Sequence, residues 1–241
     1  NDPSQITAVV GTWDSGGSSG ILRSELGVLP PGDSRACLLA LMEDDNQQKV
    51  AQRLFDDRLK EVAGPLKGHS LGNLIGVRLD HIFHGIDRGT EAERALFRIR
   101  GHVFPATLTD LSLICMTKNG VEIAGEADID SRKKRADFDP KDRIMRIYFN
   151  RQAETNPKVL EAITKADKII FAPGDLYTSV LPHLLVEGVA EAVRKSKAKV
   201  IFVLNLIQKA GETDNFKASD FIKALVYYLG DAKRLDYVIS N

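Results

Sequence analysis

The chain has 241 residues, 43% of them hydrophobic, which is enough for one large or two small α/β domains with a full core. Lysine plus arginine and aspartate plus glutamate each number 33, so the formal net charge is zero, which argues against a protein that binds nucleic acid through a basic excess. No apolar run reaches bilayer length, so we expect no membrane span. Two cysteines, Cys37 and Cys115, are too few for a disulfide framework and are typical of a reduced, cytoplasmic protein.

A turn rich in glycine and serine, Gly-Gly-Ser-Ser-Gly at residues 16–20, follows the first predicted strand at residues 6–10. Its glycines allow positive φ and a close approach of a ligand to the backbone. Ser18 or Ser19 is placed to cap the short helix that comes next, and a helix N-terminus presents free N–H groups and a positive dipole end to an anion. The turn therefore predicts a phosphate site. A ligand-free connection is an equally good interpretation, because the turn matches neither the Walker pattern nor G-x-G-x-x-G.

The second helical pattern also begins with charged residues. Asp33 follows a Pro-Pro-Gly turn and is placed to cap a helix over residues 34–42. Arg35 lies in the first turn of this helix, where the dipole disfavours a cation. Its position indicates an anionic partner or, equally, an ion pair with Asp33. The charged, amphipathic helix predicted over residues 46–62 is interpreted as a solvated cover.

The next helix is preceded by the segment Gly-His-Ser-Leu-Gly-Asn. His69 and Asn73 lie one turn apart at the start of its apolar stripe, with a glycine between them. They favour a small polar ligand or an oxyanion over the alternative, a close helix contact capped by Ser70. Further along, Thr90 and Glu93 have the spacing of a capping box, which predicts the start of another helix.

The middle of the chain has β-type patterns. Asn119 and Gly120, between two apolar runs, predict a hairpin with a type I′ turn. The basic cluster at residues 132–135 is interpreted as a solvated loop in a neutral chain, with nucleic-acid binding a distant second.

The last third alternates regularly between strand and helix patterns. The predicted strands are residues 168–172, 199–205 and 237–240, and the predicted helices are residues 156–166, 179–195 and 219–229. This order predicts a parallel sheet with right-handed crossovers. Ligands of such sheets bind at the carboxyl ends of the strands, so we expect the turns after the first two of these strands to share one cleft with the Gly/Ser turn.

Six ordered motifs resemble a known family. They are D-x-G-G-S-S-G-x-L-R, L-P-P-G-D-x-R, G-H-S-L-G-N, P-A-T-L, P-G-D-L-Y-T-S-V-L-P and G-E-T. In this order they resemble the gluconeogenesis factor family, a relative of 2-phospho-L-lactate transferase in the CofD-like superfamily. The resemblance covers nearly the whole chain and implies an α/β fold, a three-layer Rossmann-like parallel sheet with an inserted helical and β-hairpin region. It also implies a single domain over residues 1–241 that lacks the family's N-terminal glycine-rich strand-turn and a C-terminal portion.

The resemblance implies two functions of different classes. The first is a cytoplasmic regulator that binds a nucleotide or a UDP-sugar-like nucleotide sugar and links carbon metabolism to cell-envelope and cell-shape control. The alternative is a transferase that moves a phospholactyl group from a nucleotide diphosphate donor to a deazaflavin acceptor. The sequences of the L-Y-T-S and H-S-L-G-N motifs favour the regulator. A homo-oligomer is compatible with either, and no redox cofactor is expected.

Two residues depart from the family pattern. Ser15 stands where the family commonly has a second aspartate, which leaves Asp14 as the one candidate ligand for Mg²⁺ at this turn. Asp175 stands where the family commonly has serine and adds a negative charge beside a presumed phosphate site. We expect that charge to be offset by Mg²⁺, by Arg23 or Arg35, or by a side chain that turns away.

These arguments and the resemblance define one set of candidate ligand residues, with no residue assigned a catalytic role. They are Asp14, Gly16, Gly17, Ser18, Ser19, Arg23, Asp33, Arg35, His69, Ser70, Asn73, Gly174, Asp175, Tyr177, Thr178, Ser179 and Asn205.

Overall fold

The structure, a computed structural model, describes residues 2–240. The terminal residues Asn1 and Asn241 lie outside the described residues. The chain divides into two compact units, Asn1–Asp110 and Leu111–Asn241. Across the described residues, no helix is both long enough and apolar enough to cross a membrane.

Within the described part of the first unit, residues 2–110, two parallel strands are combined with helices. The strands are β1 (Thr7–Val10) and β2 (His102–Pro105), and the helices are α1 (Gly17–Leu26), α2 (Gly32–Ala40), α3 (Asp45–Asp56), α4 (Leu71–Ile82) and α5 (Ile86–Leu96). β1 and β2 run parallel, with Val9 opposite Phe104. α2 and α3 bury Leu38 and Phe55 in a core that they share with Val10 at the end of β1. This packing holds the carboxyl end of β1, from which the Gly/Ser turn leaves.

Three predicted helix starts differ in the structure. The N-cap of α1 is Gly16, so the serines of the turn lie inside the first helical turn and do not cap it. The N-cap of α2 is Pro31, and Asp33 lies inside that helix. The capping box fails because α5 begins before Thr90, and Thr90 and Glu93 are both buried within it. At α1, the side chains that local spacing assigns to a cap instead bond to residues distant in the chain, Ser18 to His69 and Ser19 to Asn73.

The second unit begins with an antiparallel sheet of β3 (Leu113–Thr117), β4 (Glu122–Ala124) and β5 (Ile144–Phe149) in the order β4-β3-β5. The predicted hairpin joins β3 to β4, but the turn is not type I′. Gly120 has φ +83°, whereas Asn119 does not have positive φ. The Thr117 N–H bonds to the Val121 carbonyl at 2.9 Å, which makes a three-residue loop with glycine in the left-handed position.

The rest of the second unit contains the parallel sheet that the alternating pattern predicts. Its strands, in the order β6-β7-β8, are β6 (Lys168–Phe171), β7 (Lys199–Val203) and β8 (Tyr237–Ile239), and the helices of this unit are α6 (Glu126–Asp130), α7 (Pro157–Lys165), α8 (Val189–Lys195) and α9 (Ala218–Leu229). The α/β class and the parallel pairing are therefore confirmed, with the described strands distributed over three sheets.

Two segments of the second unit differ from their predicted form. The segment predicted as helix after β6 is a π-helix at Leu176–Val180, a 3₁₀ helix at Leu181–Leu185 and then α8. In the basic cluster, Arg132 is 4% exposed, and its Nη1 donates to the carbonyl of Gly211 at 2.9 Å. The prediction of a wholly solvated loop was therefore wrong for this one arginine.

Candidate functional site

The N-termini of three helices of the first unit converge. Ser18, in the first turn of α1, has its Oγ 2.9 Å from Nδ1 of His69, the residue before the N-cap of α4. One residue on, Ser19 Oγ accepts a hydrogen bond of 3.3 Å from Asn73 Nδ2 in the first turn of α4. α2 reaches the same point, because a Cβ built on Gly32 would lie 2.9 Å from Ser19 Oγ.

Arg35 fixes the start of α2 to the start of α4. Its Nη1 donates to Oγ of Ser70, the N-cap of α4, at 2.9 Å and to the carbonyl of Phe55 at 3.2 Å. Its Nη2 lies 3.3 Å from Oδ1 of Asp56. A glycine at position 72 is required here, because a Cβ would lie 2.6 Å from the Arg35 Cδ.

The convergence concentrates positive potential. The first N–H groups of an α-helix have no acceptor within the helix, and each helix adds about half a positive charge at its N-terminus. Gly17 at the start of α1 has φ +49°, a conformation that glycine adopts without steric cost. Three such ends held together by Ser18, Ser19 and Ser70 form a site suited to an anion such as phosphate.

Two carboxylates lie at the edge of this region. Asp14 Oδ1 accepts a 2.8 Å hydrogen bond from the Gly16 N–H, and Asp14 Oδ2 would lie 3.8 Å from a Cβ on Gly32. Asp33 follows Gly32 in α2. Part of its surface is exposed, but the surrounding protein desolvates its carboxyl. This desolvation, with the charge of Asp14, raises the pKa of Asp33 to about 6. Asp33 is therefore a second carboxylate near Asp14, at a position different from that of Ser15.

Arg23 is engaged away from this region. It lies in the last turn of α1, and its Nε donates to Asp110 Oδ1 at 2.9 Å. The other first-unit candidates, Asp14, Gly16, Gly17, Ser18, Ser19, Asp33, Arg35, His69, Ser70 and Asn73, are gathered at the three helix N-termini.

The second unit brings its own candidates together at the carboxyl ends of β6 and β7. The Gly174 N–H donates to Asn205 Oδ1 at 2.9 Å, which ties the turn after β6 to the end of β7. A cavity of about 590 Å³ lies here and is lined by Gly174, Asp175, Ser179, Asn205 and Lys209, among others. Leu206 and Ile207 on its rim are about 80% and 81% exposed.

Glu212 is a buried anchor for the π-helix. Its carboxyl accepts hydrogen bonds from the Tyr177 N–H at 3.1 Å and from the Thr178 hydroxyl at 3.2 Å. Burial, followed by the charge of Asp175, raises the pKa of Glu212 to about 8. Because Ser179 donates its N–H to the Asp175 carbonyl, the N–H groups of Tyr177 and Ser179 at this helix start are both used within the protein.

The charge of Asp175 is offset by a lysine that our sequence reasoning did not name. Lys209 Nζ lies 3.0 Å from Asp175 Oδ2 and also pairs with Asp130. Together with Glu212, these two aspartates place three carboxylate oxygens within 4.8 Å of one another. Lys209 therefore supplies the positive charge that we expected from Arg23 or Arg35, and an offset by Mg²⁺ stays a prediction. The G-E-T motif pointed to Glu212, whereas no sequence signal marked Asp130 or Lys209.

The fold and these two polar regions define a Rossmann-like α/β protein with clustered helix N-termini. The family comparison is more specific: the chain belongs to the family described as 2-phospho-L-lactate transferase CofD, whose model matches residues 1–241.

Similar proteins carry the gluconeogenesis factor name. The "Putative gluconeogenesis factor" of Thermotoga maritima is 40% identical over 240 residues, which is 100% of this chain and 72% of that protein. The "Gluconeogenesis factor" of Halalkalibacterium halodurans is 39% identical over 230 residues, 95% of this chain and 67% of that protein. A crystal structure of a Bacillus halodurans protein matches with a TM-score of 0.87 at 36% identity and covers 97% of this chain and 71% of that one.

Proposed function

We propose that this chain is the ligand-binding core of a cytoplasmic regulator of the gluconeogenesis-factor type. Its ligand is a nucleotide or a nucleotide sugar, and its role is to link carbon metabolism to envelope and shape control. The convergence of the α1, α2 and α4 N-termini carries this proposal. A diphosphate has the charge that the positive ends of three helix dipoles complement, and its oxygens can accept from the first N–H groups of α1 and α2. At the start of α4, the Leu71 and Asn73 N–H groups are already bonded, to the Asp57 carbonyl and to Ser70 Oγ.

The side chains around these termini suit such a ligand. Ser18 and Ser19 are 6% and 5% exposed, and their hydroxyls are oriented by His69 and Asn73. A preorganised site of this kind loses less side-chain entropy when the ligand binds. Asn73 Oδ1 is buried and has no hydrogen-bond partner among the described residues, which leaves one acceptor for a hydroxyl or N–H of the ligand.

Asp14 and Asp33 support a role for Mg²⁺ with the phosphate. Mg²⁺ commonly binds through one or two carboxylates plus phosphate oxygens and water. Desolvation first, and the charge of Asp14 second, raise the pKa of Asp33 to about 6, and a bound cation would favour the ionised form of both carboxyls. The same pair of carboxylates is also compatible with the transferase alternative, because a cation bound there would neutralise the diphosphate of a donor substrate.

Calorimetric titration with UDP-glucose, UDP and inorganic phosphate, each with and without Mg²⁺, tests the proposal. The matched variants are Asn73→Asp, which places a carboxylate at the α1 and α4 N-termini, and Asn46→Asp on the exposed start of α3. A charge about 5 Å from a phosphate at an effective dielectric constant near 20 costs about 3 kcal/mol, or roughly 100-fold in affinity. We expect this loss in Asn73→Asp alone.

Equal affinity in both variants would place the ligand elsewhere and contradict the proposed site. The transferase alternative is tested separately, by incubation with a phospholactyl nucleotide and a deazaflavin alcohol. Formation of a phospholactyl deazaflavin would favour the enzyme over the regulator.

A further inference from the structure

Successive turns of α4 carry a row of charged groups into the interior of the first unit. Gly72, Gly76 and Asp80 are spaced by four residues, about 6 Å of helix rise, and so share one face. Arg35 packs against Gly72. One turn on, Glu93 Oε2 from α5 would lie 3.9 Å from a Cβ on Gly76. Along this face of α4, the guanidinium of Arg35 therefore comes first, and the carboxyls of Glu93 and Asp80 follow.

This row is buried and incompletely bonded. Asp80 is 7% and Glu93 3% exposed. Asp80 Oδ2, Glu93 Oε1 and Arg35 Nε are buried without a hydrogen-bond partner among residues 2–240. Two buried carboxylates cannot both be ionised cheaply, because each loses its hydration and each repels the other. The row therefore favours a state in which the two carboxyls hold a proton.

The positive group of the row also belongs to the candidate anion site. Arg35 donates to Ser70 at the N-cap of α4, and the neighbouring His69 bonds to Ser18 in α1. The Asp56 carboxylate, whose Oδ1 lies 3.3 Å from Arg35 Nη2, neutralises a further part of the guanidinium charge. The charge of the Arg35 guanidinium therefore acts both on the anion site and on the buried carboxyls.

We propose that Glu93, together with Asp80, is a positioning residue that couples anion binding at the three helix N-termini to uptake of a proton. This inference rests on the proposed function. An anion beside Ser70 attracts the guanidinium and cancels part of its field at Glu93, and the carboxyl pair then takes up a proton in compensation. Binding and protonation favour each other by linkage.

The pKa directions agree with this geometry. Burial raises the pKa of Asp80 to about 7. Burial and then the charge of Asp80 raise the pKa of Glu93 to about 7, while Arg35 acts in the opposite direction. An anion weakens that opposing effect and raises the pKa of Glu93 further. Anion affinity is therefore highest where the free protein is already protonated, below about pH 7, and falls as the pH rises through the bound-state values.

The other charged groups near the row are few. α4 also carries Arg78 and His81, both exposed, and β2 carries His102, which stacks on Phe104. On α5 itself, Arg94 is held by Glu91 through hydrogen bonds of 2.9 and 3.0 Å.

The anion site itself contains three further ionisable side chains, Asp14, Asp33 and His69. They are unchanged by substitution at Glu93, so their contribution cancels when wild type and a Glu93 variant are compared.

The experiment measures sulfate binding from pH 5.5 to 9, because the charge of sulfate is constant over this range. The proteins are wild type, Glu93→Gln, and Glu61→Gln as an exposed control. A unit charge on the order of 10 Å away, at an effective dielectric constant of about 20 to 40, changes affinity roughly four- to seventeenfold for each unit of anion charge. The Glu93→Gln variant measures the pH dependence that comes from other groups. Relative to this variant, we expect wild type and the control to bind sulfate more tightly at pH 6 than at pH 8.5 by this factor.

Two further variants keep the test decisive. Asp80→Asn removes the repulsion that raises the pKa of Glu93, so the midpoint of the pH profile should move to lower pH. Glu93→Asp keeps a titrating carboxyl and should restore a pH dependence, which a merely structural role of Glu93 does not predict. If Glu93→Gln lacks a cooperative thermal transition, the Asp80→Asn profile decides.

Identical profiles in wild type, Glu93→Gln and Asp80→Asn would overturn the coupling alone. Absence of sulfate binding at every pH in wild type would overturn the anion site and, with it, the coupling.

Discussion

Glu212 makes the free energy of unfolding depend on pH in a direction that can be measured. The pKa of its carboxyl is about 8 in the folded protein against 4.5 for a free glutamate, because burial and Asp175 disfavour the charge. Between these values the folded chain binds more protons than the unfolded chain. The free energy of unfolding therefore falls as the pH rises from about 4.5 to about 8.

The magnitude follows from the span. About 3.5 pH units at about 1.36 kcal/mol each set an upper bound of about 5 kcal/mol. The substitution Glu212→Gln removes the titration, but its amide has two N–H donors where the protonated carboxyl has one O–H, so one buried donor is left without an acceptor. An unsatisfied buried donor costs about 1 to 3 kcal/mol, so we expect the variant to be less stable than wild type at pH 5.5 by this amount.

Urea unfolding followed by circular dichroism at pH 5.5, 7 and 8.5 measures the effect, with Glu61→Gln as the exposed control. We expect the stability gap between wild type and Glu212→Gln to shrink by about 2 to 3 kcal/mol between pH 5.5 and 8.5. Asp33, Asp80 and Glu93 titrate in the same direction but are common to all three proteins. A gap that is constant with pH would refute the assignment of a buried, protonated carboxyl at Glu212.

Three further substitutions test the packing by chemical denaturation. Gly89→Ala should lower the free energy of unfolding by about 1 to 3 kcal/mol, because its Cβ would lie 2.8 Å from the Asp80 backbone; a gain from helix propensity would contradict this. Arg132→Ala leaves the buried carboxylate of Asp142 unpaired and should cost about 3 to 5 kcal/mol, whereas a loss under 1 kcal/mol would indicate a solvated arginine. Phe55→Ala removes the ring of a side chain that is 1% exposed and should lower the free energy of unfolding by about 3 to 5 kcal/mol. A smaller decrease would show that the core collapses into the cavity.

The features that could be predicted from the sequence are those set by local chemistry. Asn156 caps α7 and bonds to the Lys158 N–H, as its position before a proline indicates. The alternation of strand and helix in the last third predicted the parallel sheet, because each run is long enough to show its period. Gly120 correctly marked the hairpin, although the turn type depends on one more residue in the loop than the two-residue pattern assumes.

Residues whose partners are distant in the chain could not be predicted. Lys209 neutralises Asp175 from 34 positions away, and no periodicity records that contact. Glu93 has capping-box spacing, but its carboxyl turns toward Gly76 because that glycine leaves room for it. The expected sharing of one cleft by the turns of the two units stays a prediction.

The anion site at the three helix N-termini is the central claim, and backbone amide NMR during a titration with UDP-glucose tests it most directly. If the claim is right, the largest saturable shift changes occur at the amides of residues 16–19, 32–34 and 70–73, and Asn73→Asp weakens the saturation roughly 100-fold. Saturable binding with changes confined to residues 111–240, and with equal affinity in Asn73→Asp, would contradict the claim.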